Sequence, residues 1–200
     1  MLDSAQAALA ALPDRVRLPL AFDPGPLAAE LGRFDSEDWI SHYVTDNYEG
    51  DWSVIPLRAP EGESHPLRQI FPHPGAERFV DTGFLDRAPA LREAIGCFQC
   101  PLQTARLMRL APGSRIKEHR DPGLDAASGC ARLHVPIATG EEAEFLLDRR
   151  PVPMEPGSVW YLRLADPHSA VNRGSVDRVH LVIDATVNGW LAGMLRAGCG

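Results

Sequence analysis

Two histidines and one aspartate have the types and spacing of a metal site. His119 and Asp121 flank a single residue at the end of a predicted strand, and His168 comes directly before another. Side chains two residues apart in a strand point to the same side. Two imidazoles and one carboxylate on one face of an octahedral ion are the ligand set of non-haem Fe(II) oxygenases, which leaves three positions open. These residues therefore predict an iron(II) site.

Three cationic or titratable side chains could hold an anionic cosubstrate beside this ion. The open positions admit a chelating keto acid and O2, and a guanidinium group binds carboxylates bidentately while staying charged. Arg178 opens the last predicted strand and is expected to anchor the keto acid. Arg132 and His134 share one face of a middle strand. They either contact the same cosubstrate or belong to a salt-bridge network inside the barrel.

The elements that must position these residues lie between residues 103 and 187. This stretch has short segments rich in Val, Leu and Ile, which turn formers interrupt about every ten residues, as is typical of a β-sandwich or barrel. We expect a mainly β fold with a double-stranded β-helix, the cupin-like jelly roll. Its predicted strands are 105–110, 115–118, 131–137, 144–147, 152–154, 158–164, 169–172 and 178–185.

The first hundred residues are expected to support this barrel. Apolar residues recur at helical spacing over 3–12, 26–31 and 87–95, and 52–58 has the composition of a strand. We expect the helices to pack outside the barrel. The sequence thus predicts one domain over 1–200, in which 1–100 supplies support and substrate contacts and 103–187 forms the core with the metal site.

The spaced motifs of the C-terminal half resemble those of the aspartyl/asparaginyl β-hydroxylase family of 2-oxoglutarate- and Fe(II)-dependent dioxygenases. The resemblance covers roughly residues 103–187. It is carried by residues 110–116, His119-Arg-Asp121, Arg132-Leu-His134, Pro156-Gly157, residues 168–172 and residues 178–184.

The resemblance implies a cofactor set and a reaction. Iron would be bound at the histidine and aspartate positions described above, Arg178 would bind the distal carboxylate of 2-oxoglutarate, and Arg132 and His134 would contact its other end. With O2, an unactivated C–H bond would be hydroxylated and succinate and CO2 released. Members that act on free amino acids, such as bacterial proline hydroxylases, keep the acidic ligand that Asp121 supplies here. Met108 stands where some members place a polar residue that helps to hold 2-oxoglutarate.

Candidate substrate contacts lie outside the iron motif. An amino-acid-like substrate needs an aromatic wall with a few polar groups, which Trp52, Arg58 and the loop 46–48 could supply, and Arg120 flanks the metal motif. Each of these residues could equally be an ordinary part of a strand or loop that covers the barrel. The expected substrate is a free amino acid, a similar small molecule or a peptide side chain.

Charge and composition exclude several other classes of protein. A formal net charge of −7 disfavours nucleic-acid binding, which needs a basic surface. No apolar run approaches the roughly 18 residues of a membrane span, and the N-terminus lacks the basic residues of a secretory signal. We therefore expect a cytoplasmic protein that binds neither membrane nor nucleic acid. The Cys97 and Cys100 pair is more typical of buried thiols than of a zinc or redox site.

Two rival functions fit parts of the same pattern. A cupin could use the barrel as a metal-dependent isomerase or a small-molecule sensor, and a third possibility is a non-catalytic interaction domain. Arg178 together with Arg132 discriminates between them, because a dioxygenase needs a cationic anchor for 2-oxoglutarate, whereas a typical cupin places further metal ligands there. An intact ligand set argues against a non-catalytic domain.

Overall fold

The computed structural model describes residues 4–70 and 75–199, which form two antiparallel sheets and five helices. The strands are β1 Arg15–Ala21, β2 Ile40–Ser41, β3 Tyr48–Glu49, β4 Trp52–Pro60, β5 Phe79–Asp81, β6 Leu102–Leu110, β7 Arg115–His119, β8 Cys130–Ala138, β9 Ala143–Leu147, β10 Arg150–Pro151, β11 Ser158–Leu162, β12 His168–Asn172 and β13 Arg178–Thr186. The helices are α1 Ser4–Ala10, α2 Pro24–Leu31, α3 Pro66–Gln69, α4 Pro89–Gly96 and α5 Gly189–Ala197.

The two sheets face each other as the layers of a jelly roll. The larger has the strand order β1-β11-β8-β13-β6-β4-β2, with β5 paired to β4, and the smaller has the order β10-β9-β12-β7-β3. The predicted mainly β, cupin-like fold is confirmed. Strands from the first hundred residues complete both sheets, so this region is part of the barrel rather than only a support for it.

Successive side chains along the strands of the large sheet point to opposite faces, and each face packs in its own apolar core. One face, with Leu107, Leu133 and Leu181, packs in one apolar cluster with Leu27 of α2 and Leu91 of α4. The helices therefore cover the outer face of the large sheet, as expected. The opposite face points toward the small sheet, where a second apolar cluster lies.

Seven of the eight predicted strands form at nearly the predicted positions. The predicted strand 152–154 is wrong. The strand observed there is Arg150–Pro151, and after it the backbone N–H of Val152 donates one hydrogen bond to the carbonyl oxygen of Phe145. The N-terminal edge strand β1 was not predicted, although its alternating burial has the period of a strand. Its Pro19 is tolerated because an edge strand leaves one side unpaired.

Three predicted helices also form, as α1, α2 and α4, while Asp3, the predicted start of the first, lies outside the described residues. The C-terminal helix α5 was not predicted; Asn188 caps it by accepting a hydrogen bond from the backbone of Leu191. In the ranges 4–70 and 75–199, no helix is both long and apolar enough to cross a membrane.

Candidate active site

The small sheet brings the predicted metal ligands together. His119 ends β7 and His168 begins β12, and the two are direct partners across the strand pair, with ring centroids 4.2 Å apart. Asp121 follows β7, where its backbone N–H donates to the carbonyl oxygen of Leu164 at 2.8 Å. One possible ligand atom from each of the three residues lies within 4.8 Å of the others.

Backbone carbonyl groups orient both imidazoles. Nδ1 of His119 lies 2.8 Å from the carbonyl oxygen of Lys117, and Nδ1 of His168 lies 3.0 Å from that of Asp166. Because a carbonyl oxygen only accepts, each Nδ1 carries the proton and each Nε2 has a free lone pair for a metal. Burial and the neighbouring His119 lower the pKa of His168 to about 4, so its ring is neutral near pH 7.

Arg132 fixes the carboxylate of the metal set. Its Nη1 donates to Oδ2 of Asp121 at 2.7 Å, while Oδ1 of Asp121 lies 3.7 Å from Nε2 of His119. One carboxylate oxygen is thus held by the protein and the other faces the imidazoles. In the same way Arg132 holds Asp184, with Nε donating to Oδ1 at 2.6 Å. Of the two roles expected for Arg132, these contacts are those of a salt-bridge network inside the barrel.

A cavity of about 500 Å³ lies between the two sheets and contains the three metal ligands. Its floor is the inner face of β6, β8 and β13. Along β13 the inward residues are Arg178, His180, Val182 and Asp184, all of which line the cavity. Arg178 lies at one end of this row and Asp184 at the other, which gives the cavity two chemically different ends.

At one end of the cavity, Arg178 is a buried cation. It is 6% exposed, and the described residues contain no carboxylate that pairs with it. Its Nη2 donates to Nδ1 of His180 at 3.3 Å and its guanidinium lies 5.6 Å from the ring centroid of Phe145. Burial lowers the pKa of Arg178 to about 10, which still leaves it charged at pH 7. This end therefore has a positive charge that no carboxylate of the described residues neutralises.

Two neutral histidines surround Arg178. Burial, followed by the charge of Arg178, holds the pKa values of His134 and His180 well below their ordinary range. Nδ1 of His134 lies 3.5 Å from Nδ1 of His180, whereas Nε2 of His134 is buried and has no partner among the described residues. A buried polar atom without a partner is costly. His134 itself belongs to the cavity wall.

At the other end, Asp184 joins two arginines. Its Oδ2 accepts from Arg106, from Nη2 of Arg132 at 3.0 Å and from the hydroxyl of Thr104 at 3.0 Å. Although burial opposes ionisation, Arg132 and Arg106 hold the pKa of Asp184 well below its usual range. Arg106 and Asp184 were missed by sequence reasoning. The available signal was a charged residue within a predicted strand that is rich in apolar residues.

An aromatic group forms part of the cavity wall. Trp52 lines the cavity as predicted for a substrate contact, and its indole stacks on His42 with ring centroids 3.5 Å apart and planes 10° apart. Asn47, from the predicted loop 46–48, also lines the cavity. Burial, and then the charge of Arg106, lowers the pKa of His42 to about 3. His42 had no sequence signal beyond its residue type.

Two predicted substrate contacts lie elsewhere. Arg58 is outside the cavity, because its guanidinium donates to Asp81 at 2.7 Å and to the carbonyl oxygen of Phe79. Arg120 also lies outside the cavity and donates to the carbonyl oxygen of Ala165 at 2.9 Å. The structure therefore does not bring these two arginines to the site.

The cysteines form no further site in the part of the chain that the structure describes. All four are free thiols; Cys100 is buried as expected, whereas Cys97 is exposed, so the expectation of a buried pair is wrong for Cys97. Among the described residues, the only group of possible ligands that could hold a metal ion is His119, Asp121 and His168. Burial raises the pKa of Cys100 to about 11, which keeps it a thiol.

Comparisons with known proteins agree with this geometry. The chain is 25% identical over 177 residues to L-proline cis-4-hydroxylase of Rhizobium meliloti (strain 1021), an alignment that covers 88% of this chain and 61% of that protein. The chain therefore spans about three fifths of the length of this relative.

Solved structures share the fold at low sequence identity. An oxidoreductase of the 2OG-Fe(II) oxygenase family from Burkholderia pseudomallei superposes with a TM-score of 0.53 and 17% identity, covering 94% of this chain and 93% of that one. AviO1 from Streptomyces viridochromogenes Tue57 gives a TM-score of 0.51 and 16% identity, covering 94% and 97%. The model of the aspartyl/asparaginyl β-hydroxylase family matches residues 27–187. Because this match extends over most of the chain, the protein belongs to the aspartyl/asparaginyl β-hydroxylase family.

Proposed function

We propose that the protein is a 2-oxoglutarate- and Fe(II)-dependent dioxygenase that hydroxylates an unactivated C–H bond of a free amino acid, a similar small molecule or a peptide side chain. The observation that carries this proposal is the buried guanidinium of Arg178, which has no carboxylate partner among residues 4–70 and 75–199 and shares one cavity with a His-Asp-His set. A buried charge is costly unless it is paired. A dicarboxylate cosubstrate supplies the missing anion, whereas a cupin isomerase or sensor has no need of it.

The donor set fits Fe(II). Two imidazole Nε2 atoms and one carboxylate oxygen are the three donors of a facial triad, and one possible ligand atom of each residue lies within 4.8 Å of the others. Bound there, Fe(II) would couple the decarboxylation of 2-oxoglutarate by O2 to hydroxylation of the substrate, with succinate and CO2 as products.

The protein's own residues would bind and orient the reactants. Arg178 binds the distal carboxylate of 2-oxoglutarate, and His134 offers the unpartnered Nε2 to the same molecule. Phe145 lies beside both groups, with its ring centroid 5.6 Å from the guanidinium of Arg178 and 6.0 Å from the ring centroid of His168. Arg132 keeps Asp121 oriented by occupying Oδ2, so that Oδ1 is free to bind the metal.

The relative and the cavity both support the proposed substrate class. L-proline cis-4-hydroxylase is a relative named for a free amino acid. A cavity of about 500 Å³ lies within the usual range of small-molecule sites, about 300 to 1,000 Å³. These observations favour a free amino acid over a peptide side chain.

Succinate formation tests the proposed activity. Purified protein is supplied with Fe(II), 2-oxoglutarate, O2 and a panel of free amino acids, and succinate is quantified. We expect 2-oxoglutarate-dependent succinate that increases with the right amino acid and that is abolished in His119→Ala. A matched control is His65→Ala, which changes an exposed histidine outside the cavity. Equal succinate formation by His119→Ala and the unaltered protein would refute the assignment.

A further inference from the structure

A second cavity lies beside Arg178. It has a volume of about 330 Å³, and none of the three metal ligands belongs to its wall. We call the cavity that contains the metal ligands the main cavity. The main cavity and the second cavity share Phe145, Arg178 and His180. Arg178 therefore forms part of the partition between the two cavities, with the metal ligands on one side only.

The end of β8 explains why there is space next to Arg178. β8 ends at Ala138, and its pairing with β13 begins at Val179, so Arg178 has no partner residue on that strand. The next residues of the chain, Thr139 and Gly140, line the second cavity instead of continuing the sheet. The second cavity is thus a consequence of where the strand stops.

Small and flexible side chains form the wall of the second cavity on the side of the small sheet. Ala143 and Phe145 lie two residues apart on β9 and both line this cavity, so at Ala143 only a methyl group faces it. The half-buried Met154 also lines it, and a methionine side chain is flexible and adapts to irregular gaps. This wall therefore leaves room next to Arg178.

Few contacts hold the guanidinium of Arg178 in place. In the ranges that the structure describes, its Nη2 donates to Nδ1 of His180 at 3.3 Å, it lies 5.6 Å from the ring centroid of Phe145, and no carboxylate pairs with it. A guanidinium has five N–H donors, so the bond to His180 leaves others for a ligand. Arg178 can therefore shift toward the second cavity without breaking an ion pair.

The charges around the second cavity favour such a shift. Glu141 and Glu155 are exposed residues of its wall, although Glu155 also pairs with Arg17 at 3.2 Å. Their carboxylates attract a guanidinium that moves toward them and repel a free anion. The second cavity is therefore suited to receiving the side chain of Arg178 and not to binding an anion of its own.

We propose that the second cavity widens the choice of cosubstrate, so that the protein accepts the six-carbon keto acid 2-oxoadipate as well as 2-oxoglutarate. This inference rests on the proposed function. 2-Oxoadipate has the same chelating oxygens and the same distal carboxylate, with one additional methylene group between them. When the metal fixes one end, this group moves the distal carboxylate outward by about 1.3 Å, the projection of a carbon–carbon bond of about 1.5 Å. Arg178 keeps its ion pair by moving with the carboxylate into the second cavity.

Turnover of 2-oxoadipate has the same balance as turnover of 2-oxoglutarate. One atom of O2 enters the keto acid as its C1–C2 bond breaks, which converts 2-oxoadipate into glutarate and CO2. The other oxygen atom enters the C–H bond of the substrate and forms the hydroxyl group. Oxidation of the keto acid and of the C–H bond together supplies the electrons that reduce O2.

Equilibrium binding tests the proposal without turnover. Isothermal titration calorimetry is performed anaerobically on protein loaded with Fe(II). The ligands are 2-oxoglutarate, 2-oxoadipate and 2-oxohexanoate, which has the six-carbon chain without the distal carboxylate. We expect 2-oxoadipate to bind less than about tenfold more weakly than 2-oxoglutarate and at least about tenfold more tightly than 2-oxohexanoate, because its ion pair with the buried guanidinium is kept. With O2, glutarate should form from 2-oxoadipate as succinate forms from 2-oxoglutarate.

Two alanine variants assign the effect to the second cavity. Ala143→Leu fills part of this cavity and should weaken the binding of 2-oxoadipate by at least about tenfold relative to 2-oxoglutarate, which does not require Arg178 to move. The matched control is Ala192→Leu, since Ala192 is a half-buried alanine of α5, as Ala143 is of β9, but lies outside both cavities. Ala192→Leu should have the affinity ratio of the unaltered protein.

Several results would overturn the proposal. These are binding of 2-oxoadipate about tenfold or more weaker than that of 2-oxoglutarate, an advantage over 2-oxohexanoate of less than about tenfold, or an unchanged affinity ratio in folded Ala143→Leu. Formation of succinate without formation of glutarate would also contradict it. The comparison of the three keto acids uses the unaltered protein, so it decides the matter even if Ala143→Leu does not fold. Failure of the unaltered protein to bind 2-oxoglutarate would instead refute the proposed function, and this inference with it.

Discussion

The two ends of the cavity bury arginines in opposite ways. In the part of the chain that the structure describes, Arg178 has a neutral histidine and an aromatic ring as its neighbours and no carboxylate partner. Arg106 and Arg132 share Asp184, and Arg132 also bonds Asp121. At the first end the positive charge needs an anion from a bound ligand. At the second end carboxylates of the protein neutralise part of the positive charge.

The difference separates residues that bind from residues that position. A paired guanidinium is stabilised in the folded protein before any ligand arrives, so its removal damages the fold. A buried guanidinium without a carboxylate partner destabilises the ligand-free protein, and this cost is offset only when an anion binds. Substitutions at the two ends should therefore change stability in opposite directions.

The largest expected effect is that of Asp184→Asn. This change leaves Arg106 and Arg132 buried without their shared carboxylate, and breaking such a pair typically costs about 3 to 5 kcal/mol. Urea denaturation should show this loss in the free energy of unfolding. The control Asp177→Asn alters an exposed aspartate close to β13 and should change stability little. A loss below about 1 kcal/mol in Asp184→Asn would contradict the account of this end.

The second expected effect concerns pH and His42. Burial and Arg106 lower its pKa in the folded protein to about 3, below the ordinary value of 6.5. The unfolded chain therefore takes up a proton first as the pH falls below 6.5, and stability is lost in the window from 6.5 down to about 3. One such group contributes a slope of about 1.4 kcal/mol per pH unit.

His42→Phe isolates this contribution, because a phenyl ring can still stack on Trp52. Between pH 6.5 and pH 5, unfolding of this variant should take up about one proton fewer than unfolding of the unaltered protein. The slope of the free energy of unfolding against pH should therefore be smaller by up to about 1.4 kcal/mol per pH unit. The exposed His65→Phe serves as its control. An identical slope in His42→Phe and the unaltered protein would show that His42 titrates normally in the folded state.

The smallest effect is a gain in stability. Arg178→Met replaces an unpaired buried cation with an apolar side chain, which should stabilise the protein without its ligands by about 1 to 2 kcal/mol. Arg132→Met should do the reverse, since it removes the guanidinium that bonds Asp121 and leaves the buried Asp184 with Arg106 as its remaining arginine partner. Thermal denaturation of both variants in the absence of metal and 2-oxoglutarate compares the two ends directly. Loss of stability in Arg178→Met would mean that the two ends do not differ as described.

Residue type and spacing singled out the three candidate metal ligands that the structure brings close together. His119 and Asp121 are two residues apart at a strand end, and His168 begins a strand that pairs with the first. Arg178 was predicted in the same way, from its position at the start of β13. Local pattern also predicted seven strands of the barrel.

What the sequence did not predict depends on pairing between distant strands. Arg106 meets Asp184 only because of the register of β6 with β13, which no local pattern specifies. Arg58 was expected at the substrate, but the unpredicted strand β5 places Asp81 opposite it and takes up its charge. Charged residues of this kind can be assigned to a site or to a structural ion pair only after the strand order is known.

The most direct test of the central claim is an anaerobic titration of the metal-free protein with Fe(II) and 2-oxoglutarate, followed by the weak visible absorption of an iron-chelated keto acid. The account predicts a saturable band for the unaltered protein and for Arg173→Gln, which alters an exposed arginine near β13. It predicts 2-oxoglutarate binding weaker by about 2 kcal/mol or more, roughly 30-fold, in Arg178→Gln. Absence of the band in the unaltered protein with metal bound, or equal 2-oxoglutarate affinity in Arg178→Gln, would contradict it.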